Sequence, residues 1–182
     1  MMEEFAYLGS AKAREVVIDN PQKIAKMIEK ISPVNPNKCP PVIQDSDQEL
    51  RDICYRKAHE MYGEDLPVQV SSRLEKELNS IISNGYAVMY IIAQKLVWKS
   101  NADGYLVGSR GSVGSSFVAT MSGITEVNPL SPHYYCEKCH YSDFDSEEVR
   151  AFAGGCGYDM PDRMCPKCGA KLIKAGFDIP FE

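Results

Sequence analysis

The chain has 182 residues, 44% of them hydrophobic and 25% charged, with a formal net charge of −5. That length suits one or two packed domains, and the acidic balance argues against a free-standing nucleic-acid binder, which carries a basic face. The longest apolar stretch, Tyr86 to Ile92, falls far short of the ~20 residues of a membrane span; with no signal-peptide pattern at Met1-Met2-Glu3-Glu4, a cytoplasmic protein with no membrane partner is expected.

Ile24, Ile28 and Ile31 lie at helical spacing, and Asp19-Asn20-Pro21 supplies a cap and a first-turn proline for a helix there. Pro33, Pro36, Pro40 and Pro41 break the chain into a loop or linker. A second helix is predicted from about Asp47 to Tyr62, with Leu50, Ile53 and Met61 inward and Gly63 as its terminator. A third begins near Pro67 and ends at Gly85; Val70, Leu74, Leu78 and Ile81 form its apolar stripe, while Glu75, Lys76 and Glu77 are placed outside. Tyr86 to Trp98 is apolar on several faces, which predicts a buried segment, mostly helical. Gly104-Tyr105-Leu106-Val107 is read as a short strand, and Ser112 to Met121 as a helix packed through Val113, Phe117, Val118 and Met121. Beyond Pro129 the chain is loop-rich and organised by cysteines. An α+β fold follows.

Seven cysteines are present, and four of them form two Cys-x-x-Cys pairs, Cys136/Cys139 and Cys165/Cys168, with 25 residues between the pairs. Each pair puts two thiolates on one tight turn, and two facing turns complete a tetrahedron around zinc. Four sulfurs fill the coordination shell and leave no position for water, so the site is structural rather than catalytic. Lys138 and Lys167 offset part of the thiolate charge, and Gly169 lets the backbone turn beneath the metal. Two redox dithiols are the competing reading; Cys156 and His140 are spare candidate ligands.

Across the handover from the predicted strand to the predicted helix runs Leu106-Val107-Gly108-Ser109-Arg110-Gly111-Ser112-Val113-Gly114-Ser115-Ser116. It is neither a Walker loop nor a dinucleotide fingerprint. A strand-to-helix handover exposes backbone N–H groups at the positive end of a helix dipole, glycines allow a phosphate close approach, and Arg110 can grip phosphate oxygens with its fork. A flexible turn with no ligand would look similar.

The run from Tyr105 to Met121, with Ile124 to Leu130 and Pro132 to Cys136, resembles the replicative DNA polymerase III alpha subunit of the PolC type. The likeness extends from Glu3-Glu4-Phe5-Ala6-Tyr7-Leu8-Gly9 through Arg73-Leu-Glu-Lys-Glu-Leu78 to Asp178-Ile-Pro-Phe-Glu182. It implies three parts: residues 1–45 as a helical connector after the PHP region, 46–130 as a helical and partial polymerase-beta-like palm region with the Gly-Ser turn, and 131–182 as a zinc-binding insertion. It further implies that Gly108, Ser109, Arg110, Gly111 and Ser112 contact the triphosphate of an incoming deoxynucleotide, and that Cys136, Cys139, Cys165 and Cys168 hold the zinc. The partners implied are deoxynucleoside triphosphates, primer-template DNA, the remaining polymerase domains and the sliding clamp. Magnesium serves the intact enzyme, but the family's Asp-Ile-Asp pattern lies past the stretch matching Phe181-Glu182. No catalytic residue is therefore expected here, and the chain alone is expected to be inactive. Asp45-Ser46-Asp47 and Asp143-Phe144-Asp145 are read as helix caps. A loop at Ala153 to Gly157, with its extra Cys156, departs from the family. The alternatives are a free-standing zinc-ribbon binding module for protein or nucleic acid, for which the Gly-Ser run is superfluous, and a small transferase, which lacks a paired-carboxylate metal site.

Overall fold

A computed structural model of the chain describes residues 1–34, 37 and 41–181. Pro36, Cys39, Pro40 and Glu182 lie outside the described residues. The chain divides into two compact units, Met1–Pro40 and Pro41–Glu182.

The first unit contains one interrupted helical run: α1 (Ser10–Arg14), a π-helical stretch (Glu15–Asp19) and α2 (Asn20–Met27). The expected helix start at Asp19-Asn20-Pro21 is therefore an interior position, and Asp19 has helical dihedrals and no capping side-chain bond. Proline lacks the N–H for an i−4 bond and its ring crowds the carbonyl four residues back. The wider π turn just upstream accommodates both faults. The helix ends at Ile28, which is extended. Ile24, Ile28 and Ile31 are all exposed, so the predicted stripe does not pack within this unit. Ala13 alone is buried among the unit's described residues.

The second unit opens with three helices: α3 (Ser46–Tyr62), α4 (Val68–Ser83) and α5 (Ala87–Ala102). Asp47 and Glu49 sit in the first turn of α3, where the dipole favours acids. Asp45 occupies the N-cap position but makes no capping side-chain bond. Gly63, at φ 90°, ends α3, and its N–H donates to the His59 carbonyl at 2.9 Å. Leu50, Ile53, Cys54, Ala58, Tyr62, Val70, Leu74, Leu78, Ile81, Ala87 and Ile91 form one core with Phe117, Val118 and Met121. α5 packs by one face only. Met89, Leu96 and Trp98 on it are exposed, so the expectation of burial all round is wrong for this helix.

The predicted strand at Gly104 to Val107 is irregular backbone, and Leu106 is fully exposed. The predicted helix Ser112 to Met121 is two pieces: a 3₁₀ turn (Gly111–Ser115) and α6 (Phe117–Met121). Ser116 separates them because its hydroxyl accepts the Ala119 N–H and starts a new helix.

The remainder is a three-stranded antiparallel sheet, order β2-β1-β3, of β1 (His133–Tyr135), β2 (Ser142–Asp143) and β3 (Ile173–Ala175), with the short α7 (Glu147–Arg150). Tyr134, Val149, Met160 and Leu172 make a second small core with Cys136 and Cys165. The whole is α+β. Among the described residues no helix is long and apolar enough to cross a membrane.

Candidate metal centre and anion-binding turn

The two cysteine pairs sit on turns with the same hydrogen-bond pattern. In the first, the Cys136 N–H donates to the Tyr141 carbonyl at 2.8 Å and the His140 N–H to the Cys136 carbonyl at 2.8 Å. In the second, the Cys165 N–H donates to the Ala170 carbonyl at 2.7 Å and the Gly169 N–H to the Cys165 carbonyl at 2.9 Å. The fourth residue after the leading cysteine must be left-handed in both, at φ 57° for His140 and 72° for Gly169. Glycine meets that demand without strain; His140 meets it as a backbone element of the turn. β1 leads directly into the first turn, and β3 follows shortly after the second, so the sheet brings the turns face to face.

All four sulfurs lie within 4.8 Å of one another. Cys136 Sγ is 3.5 Å from Cys168 Sγ, and Cys139 Sγ is 3.5 Å from Cys165 Sγ. These separations are far from the ~2.05 Å of a disulfide. They approach the ~3.8 Å edge of a tetrahedron with ~2.3 Å metal–sulfur bonds. The cluster can hold a metal ion, and His140 and Cys156 are not among its members. Burial alone would raise the Cys165 thiol; hydrogen bonds from the Cys168 and Lys167 backbone and from neighbouring sulfurs outweigh it and bring it down to about 7. Cys54, by contrast, is buried in the helical core and pushed up to about 12 by desolvation, which makes it inert.

The predicted phosphate residues fall on one short exposed arc. Gly108, Arg110, Gly111 and Ser112 are exposed and Ser109 half-buried. A methyl group added at Gly108 or Gly111 would meet nothing within 4 Å. Arg110 is extended, and no hydrogen bond or ion pair of its side chain occurs among the described residues. Ser109 Oγ accepts a 2.7 Å bond from Thr125 Oγ1.

The helix-dipole part of the expectation does not hold. The helix that follows begins at Phe117, not at Ser112, and its positive end is filled from inside. Glu77 Oε2 accepts from the Val118 N–H and from Ser116 Oγ, both at 3.0 Å. Glu77 was expected on the outer face of α4 and is instead fully buried. Its position explains why: it lies three residues after Leu74 and four before Ile81, on the same stripe. Arg73, one turn earlier, pairs with its other oxygen. The Arg73 Nη2 then donates to the Ser115 carbonyl at 2.7 Å and to the Ile179 carbonyl at 3.0 Å. Stripe position was the signal that charge type concealed.

Of the acidic lookalikes, Asp143 closes the turn ahead of α7 rather than capping the helix, whose N-cap is Ser146. Its Oδ1 accepts from the Asp145 and Ser146 N–H groups at 3.2 and 3.0 Å, and its Oδ2 holds Arg163 at 2.7 Å. Where the helical and cysteine lobes meet, His133 Nε2 lies 2.9 Å from the Tyr62 hydroxyl, which also accepts from Asn128 at 3.3 Å. His133 stacks on Phe144 at 4.3 Å, and burial holds its pKa down to about 4.

A family model described as the bacterial DNA polymerase III alpha NTPase domain matches residues 48–182. Over its whole length the chain is similar to curated proteins called DNA polymerase III PolC-type. It is 62% identical to that of Caldanaerobacter subterraneus subsp. tengcongensis, 59% to that of Clostridium perfringens and 51% to that of Bacillus subtilis. It spans 12 to 13% of the length of these relatives.

Proposed function

This chain belongs to the family of the bacterial DNA polymerase III alpha NTPase domain, and from that premise we propose that it is the segment of a PolC-type replicative polymerase that holds the triphosphate of the incoming deoxynucleotide. The observation that carries the reading is the arc Gly108-Ser109-Arg110-Gly111-Ser112, with an exposed guanidinium that has no partner among the described residues, between two uncrowded glycines. Without an open helix terminus, the binding groups are Arg110, the serine hydroxyls and the backbone N–H groups of the turn itself. The three-part division into connector (1–45), partial palm (46–130) and zinc-binding insertion (131–182) belongs to this reading. Irregular, exposed backbone at Tyr105 and Leu106 fits a palm strand whose partners come from the rest of the polymerase.

The ion held by Cys136, Cys139, Cys165 and Cys168 is zinc on this reading, since four soft sulfurs in a tetrahedral set suit it. It supports the fold and does no chemistry. Joining nucleotides requires magnesium on clustered carboxylates, supplied by the intact enzyme outside the groups described above. Primer-template DNA, the other polymerase domains and the sliding clamp are the intact enzyme's partners, in the cytoplasm.

Arg110→Ala in the intact polymerase tests the reading. The loss of one charge-stabilising donor is expected to lower kcat/KM for deoxynucleotides by about 2–4 kcal/mol in transition-state terms. Unchanged nucleotide kinetics would reassign Arg110 to structure.

A further inference from the structure

A glycine-rich arc that binds a phosphate must be held still, and no wall stands where a side chain at Gly108 or Gly111 would lie. Ser109 is tied to Thr125 by their hydroxyls; the other anchors lie downstream, where the arc enters the protein, and they converge on two side chains of α4. Arg73 connects three segments that are distant in sequence. Its Nε pairs with Glu77, and its Nη2 reaches the carbonyls of Ser115 in the turn and Ile179 beyond β3. Glu77 completes the set by accepting from Ser116 Oγ and the Val118 N–H, and Tyr90 adds a 3.2 Å hydroxyl contact to Ser116. A fully buried carboxylate is tolerated only when each oxygen is matched, as both are here. Such an arrangement is rigid: shifting the turn strips the buried Glu77 Oε2 of both its donors and Arg73 of the Ser115 carbonyl.

We propose that Arg73 and Glu77 are positioning residues for nucleotide binding. They do not touch the triphosphate but fix the Gly-Ser turn from behind, and through Ile179 they tie its geometry to the chain that follows the cysteine lobe. This rests on the reading of Gly108 to Ser112 as the triphosphate site. Arg73→Lys is the informative change. It keeps a cation beside Glu77, but a single ammonium lacks the planar fork that serves Glu77, Ser115 and Ile179 together.

The experiment measures single-nucleotide incorporation by the intact polymerase carrying this segment, as wild type, Arg73→Lys, Glu77→Gln and Arg110→Ala, with active molecules counted by burst amplitude. Arg73→Lys is expected to raise KM for deoxynucleotide roughly tenfold while kcat stays within about twofold, the pattern of lost binding shared by ground and transition states. Its Kd for primer-template DNA is expected to be unchanged. A purely structural role would lower Tm and the active fraction and leave the KM of active molecules alone. If Arg110→Ala weakens nucleotide use and Arg73→Lys lowers only Tm, the positioning role is overturned and the triphosphate site stands. If Arg110→Ala has no effect either, the triphosphate reading fails first. Glu77→Gln, which keeps volume and removes charge, is expected to follow Arg73→Lys; a normal KM in that variant, with a raised one in Arg73→Lys, would remove Glu77 from the proposal.

Discussion

Residues 46–121 and residues 133–175 fold side by side in one unit, yet different forces close them. In the first, α3, α4 and α5 bury Leu50, Val70, Leu74, Leu78, Ile91 and Phe117 completely, and apolar burial at ~25 cal/mol per Å² is enough to close such a core. In the second, the strands are three, two and three residues long, and two of the buried core members are the cysteines Cys136 and Cys165. Strands this short are marginal without further support. The difference teaches that one half has an apolar core large enough to close it, while the other gathers four cysteines that can hold a metal where such a core is small.

Removing the metal should break that comparison most sharply. Structural zinc in small domains contributes an apparent ~10–16 kcal/mol that is inseparable from folding. Metal analysis is expected to find one zinc per chain. Chelation, or Cys165→Ser, is expected to expose residues 133–175 to rapid amide exchange while α3 to α5 stay protected, and Cys156→Ser is expected to leave zinc content unchanged. Less than half an equivalent of zinc, with four freely titratable thiols, would reverse the assignment. The converse change is Leu74→Ala, which opens a cavity in the helical half at a cost of about 4 kcal/mol. Denaturant unfolding should register that loss with zinc content unaltered.

A smaller effect, at the seam, is pH-dependent. Unfolded, His133 takes a proton near the ordinary 6.5; folded, only at about 4. Between those values the folded state binds fewer protons, so stability is complete above pH 6.5 and falls as pH drops toward 4, by about 3 kcal/mol in all. The slope in a Tm-versus-pH series should flatten in His133→Gln, with zinc monitored because acid also displaces metal from thiolates. The smallest effect expected is that of Tyr62→Phe, which removes the hydroxyl shared by His133 and Asn128 and costs about 1 kcal/mol by thermal unfolding. If it cost nothing, the seam would rest on ring packing alone.

Local chemistry is what could be read in advance. Two Cys-x-x-Cys spacings dictate their own turns whatever surrounds them, and Gly63 and Pro67 mark helix ends by backbone geometry alone. What was misread depends on partners distant in sequence. Gly104 to Val107 has strand-like composition, but a strand exists only beside another, and none pairs with it among the described residues. Glu77 looks solvated by residue type, and its burial follows from Arg73 and the Val118 N–H arriving from elsewhere. Asn20-Pro21 imitates a helix start because a proline after a π turn meets the same geometric demand as one at a first turn. The continuous helix expected from Ser112 failed at Ser116, whose capping hydroxyl was visible in the sequence but indistinguishable from its serine neighbours.

Arg73's fork spans 106 positions of sequence to reach Ile179. On a ribosome adding ~5–20 residues per second, Arg73 waits roughly five to twenty seconds for that carbonyl to be made. By then α3 to α6 and both cysteine pairs have already been synthesised. The bonds of Arg73 and Glu77 to Ser115, Ser116 and Val118 need no residue beyond the turn and α6, so the Ile179 bond alone waits for the cysteine lobe to be made.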